Sequence, residues 1–281
     1  MSQSQWPPLK ARLLNLLDPG FLLCQSCYSF LTTAFEYFLL RRHLPTPSNF
    51  HKVRDEAFSR FWTKVTTPSD PPAPPAGSAT LVPPILSRAH GVVLDIGPGS
   101  GSHVSLFAEN ANVTAIYGAE PCVGLHAPLQ ARINEAKLTD KYHILNCSAD
   151  KKAIVDALAK QGVSVTDDGV FDTIACVRVL CSVPNLDQTA KELYSLLRPG
   201  GDLIVVEHIK NPWTKNGSLL GRFMQIFYHA IGWPFFLAGC MMDRDTAAIL
   251  KRAGDWEAVD LKTHFEWSAL PYLSGTLTKR K

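Results

Sequence analysis

The residues best placed to do chemistry are Asp95 and the three glycines that follow it at alternate positions, Gly97, Gly99 and Gly101. The acid lies in an apolar run, 92–96, with the length and β-branched content of a buried parallel strand. Glycines directly after such a strand let the main chain approach a ligand within contact distance. An acid beside that turn is a poor neighbour for pyrophosphate and a good one for an ammonium group. The turn, Gly-Pro-Gly-Ser-Gly, is also one residue tighter than the dinucleotide pattern. No Gly-Lys-Ser/Thr follows, which excludes a triphosphate-cradling loop. These residues predict a small-molecule site at the carboxyl edge of an open α/β sheet.

Elements to carry that site follow in order along the chain. Strands are expected at 92–96, 113–118, 142–146, 171–177 and 202–207, with helices at 101–110, 125–138, 151–160 and 188–197 between them. A helix at 243–253 and closing strands at 257–261 and 272–278 complete the set. This alternation predicts a Rossmann-like, doubly wound, mostly parallel sheet of seven strands with right-handed crossovers. The segment 219–240 is long and apolar but broken by Gly232 and Pro234, and Arg222 and His229 interrupt it. It reads as a lid inserted after the fifth strand, at about 212–242.

Ahead of this domain, 85–281, lie N-terminal helices within 1–66 and a Pro-rich linker at 67–84. The helix at 49–65 carries Val53, Ala57, Phe58, Phe61 and Trp62 on one stripe. The apolar run at 21–40 is followed by Arg41, Arg42 and His43, and two readings stay open for it. It is a lid helix packed on the domain, or it lies in a membrane interface through residues 21–43. Polar insertions from Gln25 to Glu36 argue against a true span.

The 281 residues are 46% hydrophobic, ample for a core, and a net charge of +3 with no basic stripe argues against nucleic acid as partner. Seven cysteines are scattered, several in apolar runs, which fits a reducing cytoplasmic setting. Cys24-x-x-Cys27 is half a zinc site with no second pair, so no metal is expected.

Four stretches together resemble the class I S-adenosylmethionine-dependent methyltransferases. They are the glycine-turn strand with Asp95, the second strand ending in Glu120, the fourth strand at 171–177, and Leu-Leu-Arg-Pro-Gly-Gly at 196–201. Closer up, Val179 to Val183, Glu207-His208, and Gly239-Cys240 followed by Arg244-Asp245 look like the small thiol-methylating members found on endoplasmic reticulum and lipid droplets. The chain departs from that group at Pro98, where a cysteine is usual, and in its Pro-rich insert.

The resemblance implies S-adenosyl-L-methionine as cofactor. Asp95 would hold its ammonium, directly or through water, and Gly97, Gly99 and Gly101 would admit its amino-acid and ribose portions. Glu120 would accept hydrogen bonds from both ribose hydroxyls. Pro121 would line the adenine face and Cys147, Ser148 and Ala149 its edge, with Val177 and Arg178 opening onto the sulfonium. His208, directly after the fifth strand, is the candidate general base. The acceptor expected is a lipophilic small molecule methylated at oxygen or sulfur, with an alkyl thiol at a membrane as one alternative. A cyclisation or isomerisation on the same fold, without net methyl transfer, is another.

Overall fold

β-Branched runs too short to be helices pair into one sheet, and the amphipathic segments between them cover its two faces. In the computed structural model, which describes residues 6–69 and 73–281, seven strands form a single sheet in the order β3-β2-β1-β4-β5-β7-β6. These are β1 (Gly91–Ile96), β2 (Val113–Ala119), β3 (Tyr142–Leu145), β4 (Phe171–Val177), β5 (Leu197–His208), β6 (Trp256–His264) and β7 (Tyr272–Lys279). The first five run parallel, and β7 is antiparallel to both β5 and β6. The strand order reverses between β1 and β4, the place where open α/β sheets hold their ligands.

Before the sheet come α1 (Leu9–Asn15), α2 (Asp18–Ala34), which continues as a π-helical segment Phe35–Leu40, α3 (Pro47–Thr66) and α4 (Val82–Leu86). Within it follow α5 (Ser105–Ala108), α6 (His126–Glu135), α7 (Lys151–Lys160) and α8 (Leu186–Leu196). After β5 come α9 (Leu219–Ala230), α10 (Trp233–Phe236) and α11 (Thr246–Lys251). Local chemistry sets the helix starts. Thr46 caps α3 from its side chain with Pro47 at the first position, and Asp150 accepts from the Ala153 amide to begin α7.

Two buried clusters cover the two sheet faces, one around Leu94, Ile174 and Leu203, the other around Val93, Ile116 and Ile204. A third joins Leu23 and Phe61 of the N-terminal helices to Tyr228, Trp233 and Met242 of the lid region. Hydrogen bonds from Tyr228 to the Leu16 carbonyl (2.8 Å) and from Ser26 to the Phe236 carbonyl (2.6 Å) fasten these segments together.

The structure differs from the sequence reading at two places near the site. The helix expected at 101–110 is only the single turn α5, because the glycine turn extends through residue 104 before the backbone becomes helical. The expected linker at 67–84 has structure at its far end, where Gly77–Leu81 is a 3-10 turn leading into α4. Val82 and Leu86 are core residues there, and the prolines at 83 and 84 occupy the first turn, which needs no amide donors. Linker positions 70–72 and N-terminal positions 1–5 lie outside the described residues. Among the described residues no helix is long and apolar enough to cross a membrane.

Candidate active site

A cavity of about 320 Å³ opens at the carboxyl ends of β1, β2 and β4, at the point where strand order reverses. That is within the range of small-molecule sites. Its floor is the turn after β1, where Gly97 and Gly99 both have left-handed φ near +60°. A Cβ on Gly97 would stand 2.4 Å from Val179 Cγ2, and one on Gly99 would stand 2.8 Å from Trp62 Nε1. Only glycine leaves this cradle open.

Glu120, directly after β2, is 4% exposed and faces the cavity. Its Oε2 accepts the Gly99 N–H at 2.8 Å and its Oε1 accepts the Cys122 N–H at 2.8 Å. Each oxygen keeps a second lone pair, so the carboxylate is aimed and still able to accept from a ligand. Burial raises its pKa above the usual carboxylate value, against the pull of the two amides. The neighbouring Cys122 thiol is pushed up to about 11 by burial and by the charge of Glu120, so it is no thiolate nucleophile near neutrality.

The roof comes from α3, whose Phe58 and Trp62 lie nearly parallel with ring centroids 5.7 Å apart. A half-buried hydroxyl pair clamps this roof to the floor: Thr66 Oγ1 and Ser100 Oγ are 2.6 Å apart. Arg132 donates to Ser100 Oγ at 3.0 Å and to the Thr66 carbonyl at 2.6 Å. Opposite, Arg178 and Ala238 are cavity-lining residues with left-handed φ, of 58° and 50°. Side chains rarely adopt that geometry, which concentrates at ligand sites. Glu207 holds the Arg178 loop in place by accepting the Val179 and Leu180 amides at 2.8 and 2.9 Å. Burial pushes its own pKa up to about 8.

Of the residues expected from sequence, Gly97, Gly99, Glu120, Pro121, Ser148, Ala149, Val177 and Arg178 all line this one cavity. Four do not. Gly101 lies beneath the floor, packed toward Leu129. Cys147 is buried and absent from the wall. Asp95 is fully buried, and its carboxylate is taken by His103 Nε2 (3.0 and 3.1 Å) and the Tyr142 hydroxyl (2.8 Å). His103, not Asp95, reaches the cavity.

The fourth is His208, which the structure puts away from the cavity wall. It is 6% exposed, and its Nε2 sits 3.1 Å from Cys240 Sγ. A base for an acceptor in the cavity has to be within hydrogen-bond reach of it, and His208 is turned toward sulfur instead. The sequence reading also missed His103, Phe58 and Trp62 as wall residues. His103 could have been noticed as a titratable group directly behind the glycine turn. Nothing local marks the α3 aromatics, which reach the site only through tertiary packing.

A family model described as a methyltransferase domain matches residues 75–267. Human thiol S-methyltransferase TMT1B is 35% identical over 86 residues, covering 31% of this chain and 33% of the relative. Human thiol S-methyltransferase TMT1A is 26% identical over 161 residues, covering 57% and 58% respectively. The chain thus spans a third and under three fifths of these relatives' own lengths. Among solved structures, an O-methyltransferase family protein from Burkholderia thailandensis superposes with a TM-score of 0.55. It is 13% identical, over 92% of this chain and 71% of that one, a likeness that speaks to fold alone.

Proposed function

This chain belongs to the class I S-adenosylmethionine-dependent methyltransferases, and from that premise we propose that it transfers a methyl group to the sulfur of a lipophilic thiol. The observation that carries the cofactor half of this reading is Glu120, buried at the cavity wall with both oxygens oriented by backbone amides. Such a carboxylate suits a ribose diol. The Gly97–Gly99 cradle leaves room for the amino-acid portion, where an added Cβ would collide. Pro121, Ser148 and Ala149 lie along the adenine side, and Val177 and Arg178 along the sulfonium side. In this reading Asp95 acts on the ammonium end through His103 rather than by direct contact.

When bound, S-adenosylmethionine supplies a methyl on a sulfonium with a good leaving group, so transfer is an in-line displacement. The chain's own work is to align an acceptor and exclude water. Phe58 and Trp62 cover the cavity with apolar surface, and the Thr66–Ser100–Arg132 clamp fixes that cover. A thiol favours this site because it ionises far more readily than an alcohol and asks less of a base. A weakly acidic hydroxyl would need a base, and the candidate His208 stands off the wall. The thiol S-methyltransferases among the relatives support the same choice. Mass spectrometry of an aliphatic thiol incubated with enzyme and cofactor tests it, through gain of one methyl and release of S-adenosylhomocysteine.

Lipid is the proposed surface from which such an acceptor comes. Leu17, Phe21, Cys24, Tyr28, Leu31 and Phe35 repeat at three- and four-residue spacing from just before α2 to the first residue of its π-helical continuation, and all are exposed. Leu219, Phe223, Ile226 and Phe227 of α9 are exposed as well, and Tyr228 of α9 donates to the Leu16 carbonyl at the end of α1, just ahead of α2. An apolar stripe of this extent fits a helix lying in a membrane interface, on the cytosolic face of a lipid compartment.

A further inference from the structure

Three residues far apart in sequence converge behind the cavity wall. Cys181 follows β4, His208 ends β5, and Cys240 follows α10; their ligating atoms all lie within 4.8 Å of one another. All three side chains are buried, with exposures of 4%, 6% and 7%. We propose that Cys181, His208 and Cys240 bind a single zinc ion.

Donor chemistry argues for this ion. Two thiolates and one imidazole are a set zinc takes, and two thiolates cancel its charge, so the buried centre carries no net charge. With zinc–sulfur bonds of about 2.3 Å and zinc–nitrogen bonds of about 2.0 Å, tetrahedral donors stand roughly 3.5–3.8 Å apart. His208 Nε2 and Cys240 Sγ, at 3.1 Å, are already close to that spacing, and the rest of the cluster needs only a small adjustment.

The surroundings are built to hold these donors still. The Met241 amide donates to the Cys181 carbonyl at 2.9 Å, tying the two cysteine-bearing segments together. Arg244 donates to the Leu180 carbonyl at 2.7 Å and reinforces that tie. Trp233 Nε1 points at Cys240 Sγ from 3.2 Å, an outer-shell donor to sulfur of the kind that tunes metal thiolates. The His208 ring packs edge-on to Tyr272 at 6.2 Å. Three protein donors leave the fourth tetrahedral position for a non-protein ligand, and Cys181 Sγ touches Arg178 and Ser182 of the cavity wall. The ion would pin the lid region to the ends of β4 and β5.

The test is metal content of the full-length protein, purified with zinc available, passed through a weak chelator and measured by elemental mass spectrometry. About one zinc per chain is expected, and Cys24→Ser with Cys27→Ser should leave it unchanged. Cys181→Ser and Cys240→Ser should each lower it at least severalfold. Should those variants fail to fold, stripping the native protein with a strong chelator and replacing zinc by cobalt keeps the question open to measurement. A thiolate-to-cobalt charge-transfer band of tetrahedral intensity is then expected, with melting temperature restored by metal. Zinc well below one per chain with no cobalt band would overturn the proposal. So would a Cys181–Cys240 disulfide found by non-reducing peptide mapping, or copper as the resident ion.

Discussion

The Gly99 amide and the Glu120 carboxylate meet at 2.8 Å, which makes the glycine turn after β1 and the end of β2 a single rigid unit. The same carboxylate is the group proposed to read the ribose. Its orientation therefore depends on the turn proposed to cradle the rest of the cofactor.

Replacing Glu120 by Ala should weaken S-adenosylmethionine binding by about 1–3 kcal/mol, roughly five- to 150-fold in Kd, as two charge-assisted hydrogen bonds are lost. Calorimetric titration of both proteins measures it. Equal affinities would remove Glu120 from the site.

Affinity should also depend on pH through this residue. The ionised carboxylate is the form that accepts from two hydroxyls, and burial raises its pKa above the ordinary 4.5. Binding should be complete above the raised value and fall on acidification through it, sooner than a free glutamate would allow. Stability of the unliganded protein runs the other way. A raised pKa favours the protonated fold below 4.5, and that contribution is lost as pH rises through the folded value. Titrations across this range in the native protein and in Glu120→Gln should differ, with the variant losing the acid-side dependence.

Gly97→Ala should cost about 1–3 kcal/mol of stability from overpacking, plus the strain of a left-handed alanine. The added methyl would sit 2.4 Å from Val179 Cγ2. Pairing it with Val179→Ala should recover the overpacking share and leave the backbone share. Thermal denaturation of the single and double variants separates the two.

Ser100→Ala breaks the clamp between roof and floor, removing partners of both Thr66 and Arg132. About 1 kcal/mol of stability should be lost. Hydrogen exchange should quicken in the last turns of α3 while β1 and β4 stay protected. Uniform exchange changes would show that α3 is held by its apolar contacts alone.

Substituting serine for Phe21, Tyr28 and Phe223 together should abolish sedimentation with phospholipid vesicles while leaving the melting temperature nearly unchanged, since all three are exposed. Undiminished sedimentation would take the α2–α9 stripe out of the membrane account.

The sheet was legible because its strands are continuous β-branched runs punctuated by glycine and proline, and β4 and α7 fall where periodicity puts them. The placement of Glu120 and the first two glycines on the cavity wall was legible for a similar reason, since it follows from position at a strand end. Asp95 misled because sequence gives adjacency but not direction: its carboxylate turns down to Tyr142 and His103. The α3 roof and the Cys181–His208–Cys240 cluster were invisible for a different reason. Each depends on segments that only tertiary packing brings together, from beyond β4, the end of β5 and the stretch after α10 in the case of the cluster.

The most direct measurement is a calorimetric titration of the full chain with S-adenosylmethionine, followed by product analysis with an aliphatic thiol. Saturable binding of one molecule per chain, weakened roughly fivefold or more by Glu120→Ala, and a thioether one methyl heavier than its thiol are predicted. A chain that ignores this compound and saturates with a dinucleotide, or that yields an isomer in place of a methylated product, would contradict the account.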